Sequence, residues 1–272
     1  MLNVCSDYSA DFGPKLCSTQ TRTYLTDFVV LSDNVIALIR SSENAIELCR
    51  IDTTSTASLQ SIRILELPPL LSYARLSSAS VKTESNLSAF TTHRRPESRH
   101  PPRYPFSPSP TDALVLLTLT AKIKGSAFVD TRTYTLAVHA RTLLSYDSSS
   151  HVSSHPLVVP WDAWGPLATR CFDGNGGASD SVVAGQRWFK NGAIRDFCPH
   201  RVRAAADGLG LRSSTLAAGR MFACDIESAL PYSEISVVKD DGTFTDEAMI
   251  DKERVVFLSG VSGVRHCLYY LR

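Results

Sequence analysis

Cys198, His200 and His139 have the side chains that a nucleophile and its base would need. A thiol attacks as the thiolate, so a cysteine nucleophile requires a base within hydrogen-bond reach and an acidic group to orient that base. Cys198-Pro199-His200 brings a thiol and an imidazole close together in sequence. The proline between them forces an extended path, and catalytic Cys and His partners ordinarily come from separate parts of a fold. The tripeptide is therefore read as a strand end. An all-β hydrolase would have to gather His139, His200 or Cys198 in one pocket with an acidic partner, and no spacing ties them together. No catalytic residue is assigned.

Other constellations are weaker still. His151 and His155 are close enough to share a metal, but the residues around them are serines and no third ligand stands at a recognisable spacing. Asp173-Gly174-Asn175-Gly176-Gly177 lacks the spacing and following helix of a phosphate-binding loop. The acidic run 239–247 lacks the order of a calcium loop, and Asp241-Gly242 instead suits a type I′ hairpin turn. No metal-binding or cofactor-binding residue is assigned, and no cofactor is expected. Arg201 and Arg203 would share one face of an extended chain, making either a contact surface or a solvated edge.

Overall composition narrows the classes further. With 28 Lys and Arg against 27 Asp and Glu, the net charge of +1 argues against a general polyanion binder. The basic, proline-rich stretch 91–110 has few aromatics, so it is read as a solvated insertion, with no nucleic-acid partner expected. No apolar run approaches the roughly 20 residues that span a bilayer, the best being 113–119, so no membrane partner is expected. The first residues lack a basic and an apolar region, so no secretory signal is read. Seven cysteines at 5, 17, 49, 171, 198, 224 and 267 include no C-x-x-C pair, and the odd count suits a reducing compartment, cytoplasmic or nuclear.

The elements that must position these residues are short strands. Residues 27–31, 35–40, 45–51 and 61–67 are apolar or alternating runs separated by polar turns, which is the pattern of a meander. Residues 71–76 fit either a weak strand or a helical turn. Beyond the 91–110 insertion, strands are expected over 113–124, 133–140, 182–189, 193–197, 235–238, 248–250, 254–258 and 264–271, with a short helical turn over 201–206. About a dozen strands and few helices give an all-β fold, an antiparallel meander of propeller-like kind with one proline-rich insertion. Residues 1–22 read as a polar lead-in and 23–272 as the domain. No blade repeat is visible, and a dozen strands would make about three four-stranded blades, fewer than a closed propeller needs.

The most distinctive stretch is 158–172, with two of the three tryptophans, two prolines and a glycine. It is expected to be a loop plugging a sheet edge. Trp161 and Trp164 would be buried with their indole N–H groups on main-chain carbonyls, and Pro160 and Pro166 would end strand pairing on either side.

Val159-Pro160-Trp161-Asp162-Ala163-Trp164-Gly165-Pro166, Thr169-Arg170, Gly185-Gln186-Arg187, Asp196-Phe197-Cys198-Pro199 and Asp251-Lys252-Glu253-Arg254 occur in this order. The set resembles the region downstream of the F-box in the large, divergent group of F-box proteins from mushroom-forming fungi. Those proteins carry a V-P-W-x-x-W-G-P-x-x-T-R motif, a D-F-N-P segment and a terminal D-E-R strand. The resemblance covers residues 24–272, and its markers here are Trp161, Trp164, Gly165, Pro166 and Arg170. It implies a β-rich recognition domain that binds a protein target within a ubiquitin-ligase adaptor. This chain departs from the pattern in having no F-box-like segment before residue 24, which puts a Skp-type adaptor partner in question, and in having Cys198 at the asparagine position. The alternatives are a stand-alone scaffold of the WD-repeat or kelch-like class and an all-β hydrolase.

Overall fold

The computed structural model describes residues 25–52, 58–84, 110–124, 129–147, 156–174, 181–204, 213–236, 247–250, 254–258 and 266–270. These residues form eighteen strands and three short α-helices. The chain is mostly β, with several largely antiparallel sheets, none of them closed among the described residues.

The first sheet has the order β1-β2-β3-β4-β8, from Leu25–Ser32, Val35–Arg40, Ala45–Asp52, Ser58–Glu66 and Leu157–Val159. Its first four strands are an antiparallel meander, and β8 joins the β4 edge in parallel, Ile64 lying opposite Val158. The expected polar turn 41–44 closes β2 onto β3 with Asn44 at φ 52°, a left-handed position that asparagine tolerates. Glu47 is a buried acid on β3, and Arg40 Nε lies 3.0 Å from its carboxylate.

The second sheet, β5-β6-β7-β9, comprises Ala74–Thr83, Leu114–Lys124, Val129–His139 and Thr169–Asp173, paired antiparallel throughout. Alternation along β6 divides its side chains between two apolar clusters. Val115, Leu117 and Leu119 join Val29, Ile39, Ile46, Leu48 and Leu65 of the first sheet. Leu114 and Leu116 face the other way, toward Trp188, Phe197 and Leu230. The near-continuous apolar run at 113–119 thus has its cause: this sheet is covered on both faces.

The third sheet, β10-β11-β12-β15, runs Val182–Ala184, Arg187–Lys190, Ala193–Asp196 and Ser233–Ser236. A two-stranded ribbon joins β13, Ser214–Leu216, to β14, Ile226–Ser228. A last sheet joins β16, Glu247–Ile250, β17, Arg254–Leu258, and β18, His266–Tyr270. The opening strands touch in sequence, β1 against β5, β5 against β10 and β10 against β16.

Several expectations need correction. Residues 182–189 are two strands rather than one bulged strand: Gly185, at φ 59°, turns the chain, and its N–H is held by Glu84 Oε2 at 2.7 Å. The region 71–76 is neither a helical turn nor a strand of its own, because β5 begins at Ala74 and continues to Thr83. The stretch 158–172 is not an edge-plugging loop. It contributes the edge strand β8, the helix α2 (Trp161–Ala168) and β9. The other helices are α1, Ala140–Ser145, and α3, Pro199–Ala204, the latter near the expected turn. The insertion 91–110 falls outside the described residues apart from Pro110, which opens a 3-10 turn; the lead-in 1–22 also lies outside them.

Candidate functional site

Strand register assembles one cluster of charge and aromatic surface. Trp188 on β11 pairs with Arg195 on β12, which pairs in turn with Glu234 on β15. Lys190, two residues past Trp188, stands on the same face because strand side chains alternate. That face meets the second sheet, where Arg170 and Phe172 share one side of β9. Arg195 Cζ lies 4.8 Å from the Trp188 ring centroid and 4.9 Å from that of Phe172. Lys190 Nζ lies 5.9 Å from the Trp188 centroid, and Arg170 Cζ lies 4.9 Å from that of Tyr232. Phe172 meets Trp188 edge-on at 4.9 Å and Tyr232 at 5.4 Å, while Tyr232 stacks on Phe197 at 5.5 Å. Cations on ring faces add about 0.5–1 kcal/mol each to the burial of the rings.

The electrostatics of this face are uneven. Arg195 Nε is 2.7 Å from Glu234 Oε2, an ion pair whose N–H is not aligned for a hydrogen bond. Lys190 has no carboxylate partner among the described residues. Burial, then Arg195 and then Lys82, lower the Lys190 ammonium below its ordinary value. The indole Nε1 of Trp188 is buried without a hydrogen-bond partner among the described residues.

On the opposite face of the same hairpin, Arg187 and Asp196 form a buried pair at 2.9 Å. Asp196 also accepts the Cys198 N–H through Oδ1 at 2.9 Å, and Arg201 approaches its other oxygen at 3.7 Å. The Asp196 carboxylate beside Cys198 is therefore committed to an arginine and to the main chain leading into α3. His139, at the end of β7, is buried, with Nδ1 3.3 Å from the Asp112 carbonyl and a second main-chain contact at Phe197. The fold thus brings His139 beside the residue preceding Cys198 while its imidazole is held by main-chain groups. Desolvation first, then Arg141, hold that imidazole below its ordinary value. His200 is exposed on α3.

Of the glycine cluster only Gly174 is described. Its N–H donates to the Thr133 carbonyl at 2.9 Å, and a Cβ there would come within 2.5 Å of that oxygen, so it serves strand pairing. His151, His155 and the Asp241-Gly242 turn lie outside the described residues. Arg201 and Arg203 are exposed, on the helix α3 rather than an extended strand.

The tryptophan markers separate into two jobs. Trp161 and Trp164 are buried edge-to-face at 5.3 Å beneath the first sheet, and Trp164 Nε1 donates to the Glu66 carbonyl at 2.8 Å, as expected from sequence. Gly165 exists for Trp161: a Cβ at 165 would sit 2.3 Å from that ring. The Thr169 hydroxyl caps the helix at the Gly165 carbonyl, and the Pro166 carbonyl accepts the Ala229 N–H at 2.7 Å. Arg170 belongs instead to the aromatic cluster. The tight Asn191-Gly192 turn, at φ 52° and 71°, is what brings Lys190 and Arg195 to one face. Asn-Gly between apolar runs is the sequence signal that would have revealed this hairpin.

The fold and this cluster define a mostly β, multi-sheet protein. No protein-family model, curated protein or solved structure matches the chain. Among the described residues no group of three or more His, Cys, Asp or Glu is placed to hold a metal ion, and no helix is long and apolar enough to cross a membrane.

Proposed function

We propose that the chain is a protein-binding domain of propeller-like build, working without catalytic chemistry, and that it is the recognition part of a protein resembling the fungal F-box group. The serial placement of the sheets carries this reading. Strands consecutive or nearly so in sequence make each main sheet, and β1, β5, β10 and β16 touch one after another. Blades of a propeller follow one another around an axis in this manner, and such domains present loops and rims to partners. The residues that carry the resemblance to the F-box group have structural places: Trp161 and Trp164 pack beneath the first sheet, and Arg170 lies over the Tyr232 ring. The free thiols Cys49 and Cys171 are buried, as befits the cytoplasm or nucleus.

The test is quantitative affinity capture from a mushroom-forming fungus, using the folded chain as bait and the Trp164→Ala chain as control. Reproducible enrichment of a protein partner by the folded bait alone is expected; nothing above background would overturn the reading. A binding assay with purified Skp-type adaptor divides its two forms. Direct binding assigns the chain to ubiquitin transfer, and its absence assigns it to a stand-alone scaffold.

A further inference from the structure

We infer that Lys190 and Arg195, which lie against Trp188, form with Lys82 at the rim between the second and third sheets a binding site for an oxyanion, a phosphate or a carboxylate. Strand register builds the site. The β10–β11 pairing ends at the rung Val182–Phe189, and Ser181 and Lys190 are the next residues along the two strands. Lys82 reaches across from β5 and bonds the Ser181 carbonyl and hydroxyl, both at 3.3 Å. Lys82 is thereby close enough to Lys190 to lower its ammonium pKa, so cations from two sheets meet at this rim. Arg195 completes the set from the next rung of the same face, resting on the ring that Lys190 also approaches.

Among the described residues, the charges around Lys190 do not balance. Glu234 lies against Arg195, and Glu84 spends one oxygen on the Gly185 N–H. Lys190 has no acidic partner among the described residues, and no carboxylate is among the groups that set its lowered ammonium pKa. Like charges held together in a half-buried place repel, and an anion relieves that repulsion while accepting their N–H groups. Lys190 is only partly covered and the Arg195 side chain is 18% exposed, so the cations are within reach of solvent. The site does not depend on the propeller reading, since it requires only that the second and third sheets pack as they do.

The indole N–H resonance of Trp188, identified by its loss in Trp188→Phe, reports on the site directly. Two probes are titrated into the full chain at low salt: inorganic phosphate and an N-acetylated tetraglutamate peptide. A saturable shift with either probe, weakened about tenfold or more in Lys190→Gln, supports the site. Tighter binding of phosphate points to a phosphate ligand, and tighter binding of the peptide points to an acidic protein segment. Absence of saturation, or equal binding by Lys190→Gln, overturns the proposal. Lys82→Gln is the second variant, and the unchanged Trp161 and Trp164 indole signals show that each variant is folded.

Discussion

Trp164 and His139 show how single buried side chains combine packing with a hydrogen bond. Trp164 is enclosed by the larger core and its indole N–H satisfies the Glu66 carbonyl at 2.8 Å. Trp164→Ala removes both contributions and is expected to cost about 3–5 kcal/mol in a urea melt. An unshifted midpoint would mean that the ring is not a core element. His139 carries a pH signature. Because burial and Arg141 lower its pKa in the native state, the unfolded chain binds a proton below about 6.5 that the native chain refuses. Its contribution to stability is complete above pH 6.5. It falls with pH at up to about 1.4 kcal/mol per unit until the native value is reached. Urea melts of the wild type and His139→Gln between pH 7.5 and 5 should therefore converge as pH falls. Parallel curves would show that the imidazole titrates alike in both states.

At the scale of elements, α2 shows what local sequence reveals and what it conceals. The strands β2, β3 and β6 were legible because their side chains alternate or run apolar between polar turns, and the structure places them within a residue or two of expectation. The helix was not legible. Trp161-Asp162-Ala163-Trp164-Gly165-Pro166 contains a glycine and a proline, both poor helix formers, so propensity argues for a loop. Tertiary contacts reverse that preference: the Trp161 ring occupies the space that a side chain at 165 would need, and Thr169 and Ala229 bond the last carbonyls. The cation cluster was illegible for a related reason, since Lys82 meets Lys190 only after two sheets have packed. Gly165→Ala supplies the test of the helix. Its Cβ collides with Trp161, and overpacking of this kind costs about 1–3 kcal/mol. In a Trp161→Leu background the same substitution should cost markedly less, giving a coupling term in a double-mutant cycle. Equal costs in both backgrounds would separate the glycine from the ring.

For the whole molecule, the decisive feature is that the second sheet has protein on both faces. Alternating residues of β6 and β9 enter different cores, with Val115 and Cys171 on one side and Leu116 and Phe172 on the other. Loosening the first sheet or the third therefore strips one face of the second. A sheet whose two faces are each needed has little means of surviving the loss of either neighbour, which predicts one cooperative transition. Cys171 is the natural reporter. Its thiol is pushed up to about 12, chiefly by burial, so the native state offers almost no thiolate at neutral pH. Cys224 is exposed and should react at once with a thiol reagent, whereas Cys171 should react only through opening. If the sheets unfold together, the opening free energy from Cys171 labelling, followed peptide by peptide by mass spectrometry, equals that from the urea melt. A value lower by more than about 1 kcal/mol would show that the second sheet parts from the first before the molecule unfolds, and the sheets would then act as separable units.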